Sequence, residues 1–173
     1  MAIKGQAYTK TTWAFEERPV ASAKLNLWDD RIEAALELVH FLLSRAWGGG
    51  NGVIRGASGA DLAVAATSPP GLSVAVQPGY AFIERVAYRL DAATGTADVT
   101  PPSTHPRIDL VQARLATWDV SVKQGLEATE PQTPAADADC LALAVLYLRP
   151  GMTCIKDADD GENGYVVDAR VFV

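Results

Sequence analysis

The feature that most constrains this chain is an abrupt change of hydrophobic period at a run of glycines. Leu25, Trp28, Ile32, Ala35, Val39, Leu42 and Ala46 alternate spacings of three and four without a break. That pattern is a heptad seam over about three heptads and predicts one helix across 25–47, roughly 33 Å long at the usual rise per residue. Leu36 and Leu43 widen the stripe on one side and Leu38 on the other. Asp29, Asp30, Glu33 and Glu37 lie toward the helix start and Arg45 toward its end, the arrangement the helix dipole favours. Ser22 or Asn26 supplies the N-cap. Gly48, Gly49 and Gly50 then stop the helix.

From Gly52 onward the period is two. The segments 52–56, 61–65, 72–76, 80–90, 97–100, 108–116, 120–123, 141–148 and 165–173 read as strands between Gly/Pro turns. In 80–90 the face carrying Tyr80, Phe82, Glu84, Val86, Tyr88 and Leu90 is expected to be the core face. Residues 141–148 are apolar enough for a fully buried strand. The stretch 125–139, with Pro131 and Pro134, reads as a surface excursion. The expected fold is mainly β: an antiparallel sandwich or partly open barrel preceded by one long N-terminal helix. Residues 1–50 form an arm and oligomerisation helix, and 51–173 the β domain. Trp13 and Phe15 punctuate a polar arm that has no core of its own and is expected to dock on something.

The seam has two readings. The helix lies across its own sheet, or copies of it bundle around a symmetry axis as a homotrimer. The second is taken here.

Two charged pairs stand out. Arg107 and Asp109 sit two apart at the mouth of a strand, so both point to the face that continues into Val111, Ala113 and Leu115. Asp168 and Arg170 repeat the spacing in reverse order. Antiparallel neighbours would set Arg107 against Asp168 and Asp109 against Arg170. The four are therefore expected to form an architectural clamp tying the last strand to the middle of the sheet.

Catalytic and metal chemistry find little purchase. The two histidines, His40 and His105, lie in no recognisable nucleophile–base context. The glycine run follows a helix and is not a phosphate loop. The acidic stretch 157–164 begins like a calcium loop, but Gly161 and Asp168 stand where it needs an acidic ligand and a glutamate. Tyr80, Phe82 and Tyr88 are read as core rather than a carbohydrate platform. Cys140 and Cys154 are expected as buried free thiols, with a disulfide between them left open. The expectation is a protein without enzymatic activity, cofactor or metal.

A net charge of −6 and a pI near 4.8 argue against nucleic acid and anionic membrane surfaces as partners. No apolar run reaches the roughly 20 residues of a membrane span, and no apolar leader opens the chain.

Taken in order, several segments resemble tail proteins of tailed bacteriophages, of the baseplate, tail-tip or fibre-base type. They are Arg18–Asn26, Gly52-Val53, Val74–Ile83, Pro106–Val111, the Gly125…Pro131…Pro134 excursion, Leu141-Ala142 and Asp168–Arg170. The resemblance implies a structural virion component of the tail, assembled in the host cytoplasm as a homotrimer or ring. Its partners would be other tail or baseplate proteins, and its role an adaptor that attaches fibres or receptor-binding proteins. A receptor- or glycan-binding tail fibre module is the alternative.

Overall fold

The computed structural model describes residues 22–46 and 50–173. The chain divides into two compact units, Met1–Gly49 and Gly50–Val173. In the first, α1 spans Ser22–Ala46. It begins upstream of the seam and takes in Asn26, which is therefore not its cap. The arm with Trp13 and Phe15 and the first two glycines of the run lie outside the described residues.

The second unit is β1 (Gly52–Ile54), β2 (Val64–Ala66), β3 (Val74–Val76), β4 (Gly79–Ile83), β5 (Val86–Leu90), β6 (Thr94–Gly95), β7 (Arg107–Arg114), β8 (Asp119–Lys123), β9 (Cys140–Leu148), β10 (Ile155–Lys156) and β11 (Gly164–Asp168). They form three sheets, ordered β1-β4-β5, β10-β11-β9-β7-β8 and β2-β3-β6. Pairing is antiparallel except between β10 and β11. Inner faces of all three sheets meet in one core: Val53, Ala81, Ile83 and Tyr88 from the first, Val111, Leu143, Leu146 and Leu148 from the second, Val74 and Val76 from the third. A mainly β protein after one N-terminal helix, its sheets curled toward a sandwich or half-open barrel, is the expected class.

The expected strand at 97–100 does not form: the pairing with β3 is made by Thr94–Gly95, and beyond it only single bonds from Thr96 N–H to Val74 O and from Val99 N–H to Leu72 O follow. Of 61–65, residues 61 and 62 are a turn and the strand starts at Val64. Three further strands differ from the sequence reading, each for a local reason. The run 80–90 is not one strand. Glu84 and Arg85 both take positive φ, 50° and 68°, and reverse the chain in a two-residue hairpin. The reversal flips the phase of alternation. Ala81 and Ile83 face the core before the turn and Tyr88 after it, while Tyr80 is exposed.

Strand β9 is not buried on both sides. It pairs with β7 through a register shift after Val111, where Leu143 is the extra residue. The bulge explains why Leu143 and Ala144 are buried in succession, with alternation on either side of them. On the other edge of β9, Leu143 O accepts the Ala169 N–H at 3.0 Å, one step past the β11–β9 pairing. The last strand stops at Asp168. Beyond it the chain crosses to β1, where Val53 N–H donates to Val171 O at 2.7 Å and Val173 N–H donates to Val53 O at 3.1 Å.

Candidate functional site

On α1 the seam is largely open to solvent. Leu25, Trp28, Ile32, Val39 and Leu42, with the flanking Leu36, are between 36% and 55% exposed. Ala35 is half-buried, and the side chain of Ala46 lies outside the described residues. Seven of the thirteen large apolar side chains left exposed among the described residues belong to this one helix. Exposed apolar area concentrated on a stripe marks an interaction surface, whereas the same residues scattered singly would mean nothing. Of the half-buried helix positions, Lys24, Arg31, Ala34, Leu38 and Phe41 fall on the neighbouring stripe, whereas Ala35 lies in the seam and Leu43 beside it.

The two charged pairs do not clamp each other. Strand β9 lies between β7 and β11, so the two pairs sit on strands that are not neighbours. Each pair closes on itself. Arg107 donates Nε to Asp109 Oδ1 at 2.7 Å and Nη2 to Asp109 Oδ2 at 2.9 Å. Arg170 makes the same fork to Asp168, at 2.9 and 2.8 Å. Arg107 and Asp109, two apart on β7, share a face, and the arginine reaches along the strand to its own neighbour. Arg170 lies past the end of β11, where its N–H also donates to Asp168 Oδ1 at 3.0 Å.

The environments of the pairs are unlike. Arg107 and Asp109 have 4% and 1% of their side-chain surface exposed, whereas Asp168 has 57%. Arg107 Nη2 also donates to Thr100 O at 2.7 Å, and Asp109 Oδ1 accepts the Gly125 N–H at 2.9 Å. The buried pair therefore joins β7 to the chain before it and to the start of the 125–139 excursion. Arg170 instead donates to the carbonyls of Gly59 and Asp61, at 3.2 and 2.7 Å, and its guanidinium lies 5.0 Å from the Phe172 ring. It fastens the C-terminal crossing to the loop after β1.

The excursion 125–139 has no strand or helix, yet it is fastened near both ends, to β7, β8 and the segment that leads into β7. Gly125 lies so close to β7 that a Cβ would stand 2.0 Å from Ile108 O. Glu127 accepts the backbone N–H groups of Ser103, Thr104 and His105 at 3.0, 3.1 and 3.4 Å. Ala128 N–H donates to Pro106 O at 3.1 Å. Farther on, the buried Gln112 donates to Asp137 at 2.6 Å and accepts its N–H at 3.0 Å, and Lys123 donates to Asp137 and to Ala135 O. Nothing in the sequence marks these partners. Gln112, Glu127 and Asp137 are solitary polar residues without period, and only the fold brings them together.

The N–H groups of Ser103 and Thr104, with His105 adding to them, hold the Glu127 carboxyl down at about 2 from an ordinary 4.5. Because the folded value is depressed, the contribution of this carboxylate to stability is complete above about pH 4.5. It is lost as the pH falls through about 2. In an NMR titration the Glu127 carboxyl carbon should move with a midpoint near 2, together with the amides of residues 103–105; a midpoint near 4.5 would mean that the three-fold anchor does not form in solution.

The remaining motifs are internally committed. Asp157 accepts the Ala66 N–H at 2.7 Å, Asp159 pairs with Arg149 at 2.9 Å, and Asp160 takes N–H donors from Glu162 and Asn163 and the Lys156 ammonium. The donors from Asn163, followed by Lys156, lower the Asp160 pKa. Among the described residues no group of three or more His, Cys, Asp or Glu side chains is placed to hold a metal ion.

The three aromatics of 80–88 are divided between environments. Tyr88 is in the core, with its hydroxyl donating to Asp119 O at 3.0 Å and its ring stacked on Trp118 at 6.0 Å. Burial, then the Asp119 charge, push its phenol up to about 12. Tyr147 and Tyr165 stack on each other at 5.3 Å, with the Arg149 guanidinium over both, so those ring faces are occupied from within. Cys140 and Cys154 are free thiols, both half-buried. No described helix is long and apolar enough to cross a membrane.

No family model matches the chain, and no curated protein or solved structure is significantly similar to it.

Proposed function

We propose that this chain is a structural subunit of a bacteriophage tail, placed at the baseplate or tail tip. There it serves as an adaptor that joins fibres or receptor-binding proteins to the tail. One observation carries the reading: a 25-residue helix displays an apolar stripe to solvent, and a separately cored β unit follows it in the chain. A stripe of that kind is stabilised when it is covered, and a repeated subunit covers it with copies of itself. The resemblance of the ordered segments from Arg18–Asn26 to Asp168–Arg170 supplies the class of assembly. The proposed state is a homotrimer built on α1, and no catalytic step is assigned to it.

Two measurements test this. Light scattering on the purified chain at tens of micromolar should return three times the monomer mass, and Ile32→Asp should return the monomer with its β circular dichroism intact. Antibody–gold labelling of tailed particles containing the protein should fall at the distal end of the tail. A wild-type monomer, or label on the capsid, would defeat the reading.

A further inference from the structure

We infer that copies of α1 associate in parallel and in register, the flank carrying Asp29 against the flank carrying Lys24 of the next copy. This rests on the self-association proposed above and adds its direction. With Leu25, Ile32 and Val39 as a and Trp28, Ala35 and Leu42 as d, the e positions are Asp29, Leu36 and Leu43. The g positions are Lys24, Arg31, Leu38 and Arg45. The two flanks of one helix therefore differ in sign.

On the e side Asp29, Glu33 and Glu37 are all exposed. With Ile32, Leu36 and His40 they line an open hollow of about 420 Å³ in which two aliphatic side chains stand among three carboxylates and one imidazole. An occupant that fits has an apolar ridge edged with cations, and the g side of the same helix has that character in Leu38, Lys24 and Arg31. Lys24 and Arg31 are half-buried and each already has a contact within its own chain.

Orientation follows from which flanks meet. In a parallel bundle g faces the e position five residues on, which sets Lys24 against Asp29, the Arg31 stem over Leu36 and Leu38 against Leu43 of the neighbour, one ion pair and no like-charge contact. An antiparallel arrangement brings like flanks together. Asp29 would then lie against leucines at 36 or 43, and the cationic flank would oppose itself. Unlike flanks also make the contact heterologous, and a heterologous contact that closes gives a ring with one polar axis. All β units then follow the same end of the bundle.

Disulfide trapping in the full chain tests the direction. Leu25→Cys and Leu42→Cys variants, one carrying a size tag, are unfolded and refolded together, then oxidised beside a wild-type control. Light scattering that shows an oligomer, with 25–25 and 42–42 crosslinks and no 25–42 crosslink, is the expected result. An oligomer trapped through 25–42 overturns the parallel direction while leaving self-association standing. An oligomer with no seam crosslink shows that assembly uses another face, and it overturns this inference too. A monomer removes both this inference and the self-association beneath it.

Discussion

Gly125→Ala should lower the melting temperature of the β unit by about 10–15 °C, at a cost of roughly 3–5 kcal/mol. The residue has no side chain because there is no room for one: a Cβ would stand 2.0 Å from Ile108 O and 3.2 Å from its carbon. Both atoms belong to the backbone of β7, held there by pairing with Tyr147 of β9, so they cannot swing aside as a side-chain tip would. The excursion must lift instead, and lifting draws the Gly125 N–H away from the buried Asp109 carboxylate. A hydrogen bond to a charged group contributes about 1.5–3 kcal/mol, and that loss adds to the steric term. Gly71→Ala is the matched control, since a Cβ there meets only the Thr67 hydroxyl at 3.5 Å, an ordinary contact. Thermal melts of the two variants should separate widely. Equal melts would show that the excursion rides freely over the sheet.

How much of this could be read beforehand depends on whether the determinant was local. The helix was legible because its period is carried by seven residues in one stretch and ended by glycines. The β class was legible for the same reason, through alternation and turn residues. The hairpin at Glu84-Arg85 was not, because neither residue belongs to the Gly, Asn and Asp set that normally marks φ > 0 turns. Two charged residues inside an alternating run look like two more strand residues. The reading of the core face was therefore right at Tyr88 and wrong at Tyr80. The bulge at Leu143 has no signature in the sequence at all, since an extra leucine in an apolar run alters nothing in its pattern.

The candidate sites divide along the same line. The exposed stripe of α1 follows from spacing alone, and the residues that carry it are those the spacing selects. The clamp required knowledge of strand order. Arg107–Asp109 and Asp168–Arg170 are mirror images in sequence, and pairing them is the natural inference for adjacent antiparallel strands. With β9 interposed, the same spacing lets each arginine bond the aspartate two residues away from it. The excursion was legible as a surface segment but not as a fastened one, because its anchors bond to residues 12 to 25 positions away.

Breaking the two arginine–aspartate pairs should therefore give unequal results. Asp109→Ala leaves the Arg107 guanidinium with about 4% of its surface exposed and no counter-charge, and it also strips the Gly125 N–H of its acceptor. Removing one member of a buried pair costs about 3–5 kcal/mol, chiefly through the orphaned charge. Arg170→Ala leaves Asp168, which is 57% exposed and hydrated, so no charge is stranded. Its cost is confined to two hydrogen bonds to carbonyls and the packing on Phe172, about 1–2 kcal/mol. The double replacement Arg107→Met with Asp109→Leu removes the charge as well as its partner and should be milder than Asp109→Ala alone, since an apolar pair of similar volume leaves no ion to desolvate. Urea denaturation of the three variants ranks them. If Arg170→Ala proves as damaging as Asp109→Ala, the two pairs are energetically linked across β9 after all. If the double variant proves the worst, the pair contributes through its hydrogen bonds to Thr100 and Gly125 rather than through neutralised charge.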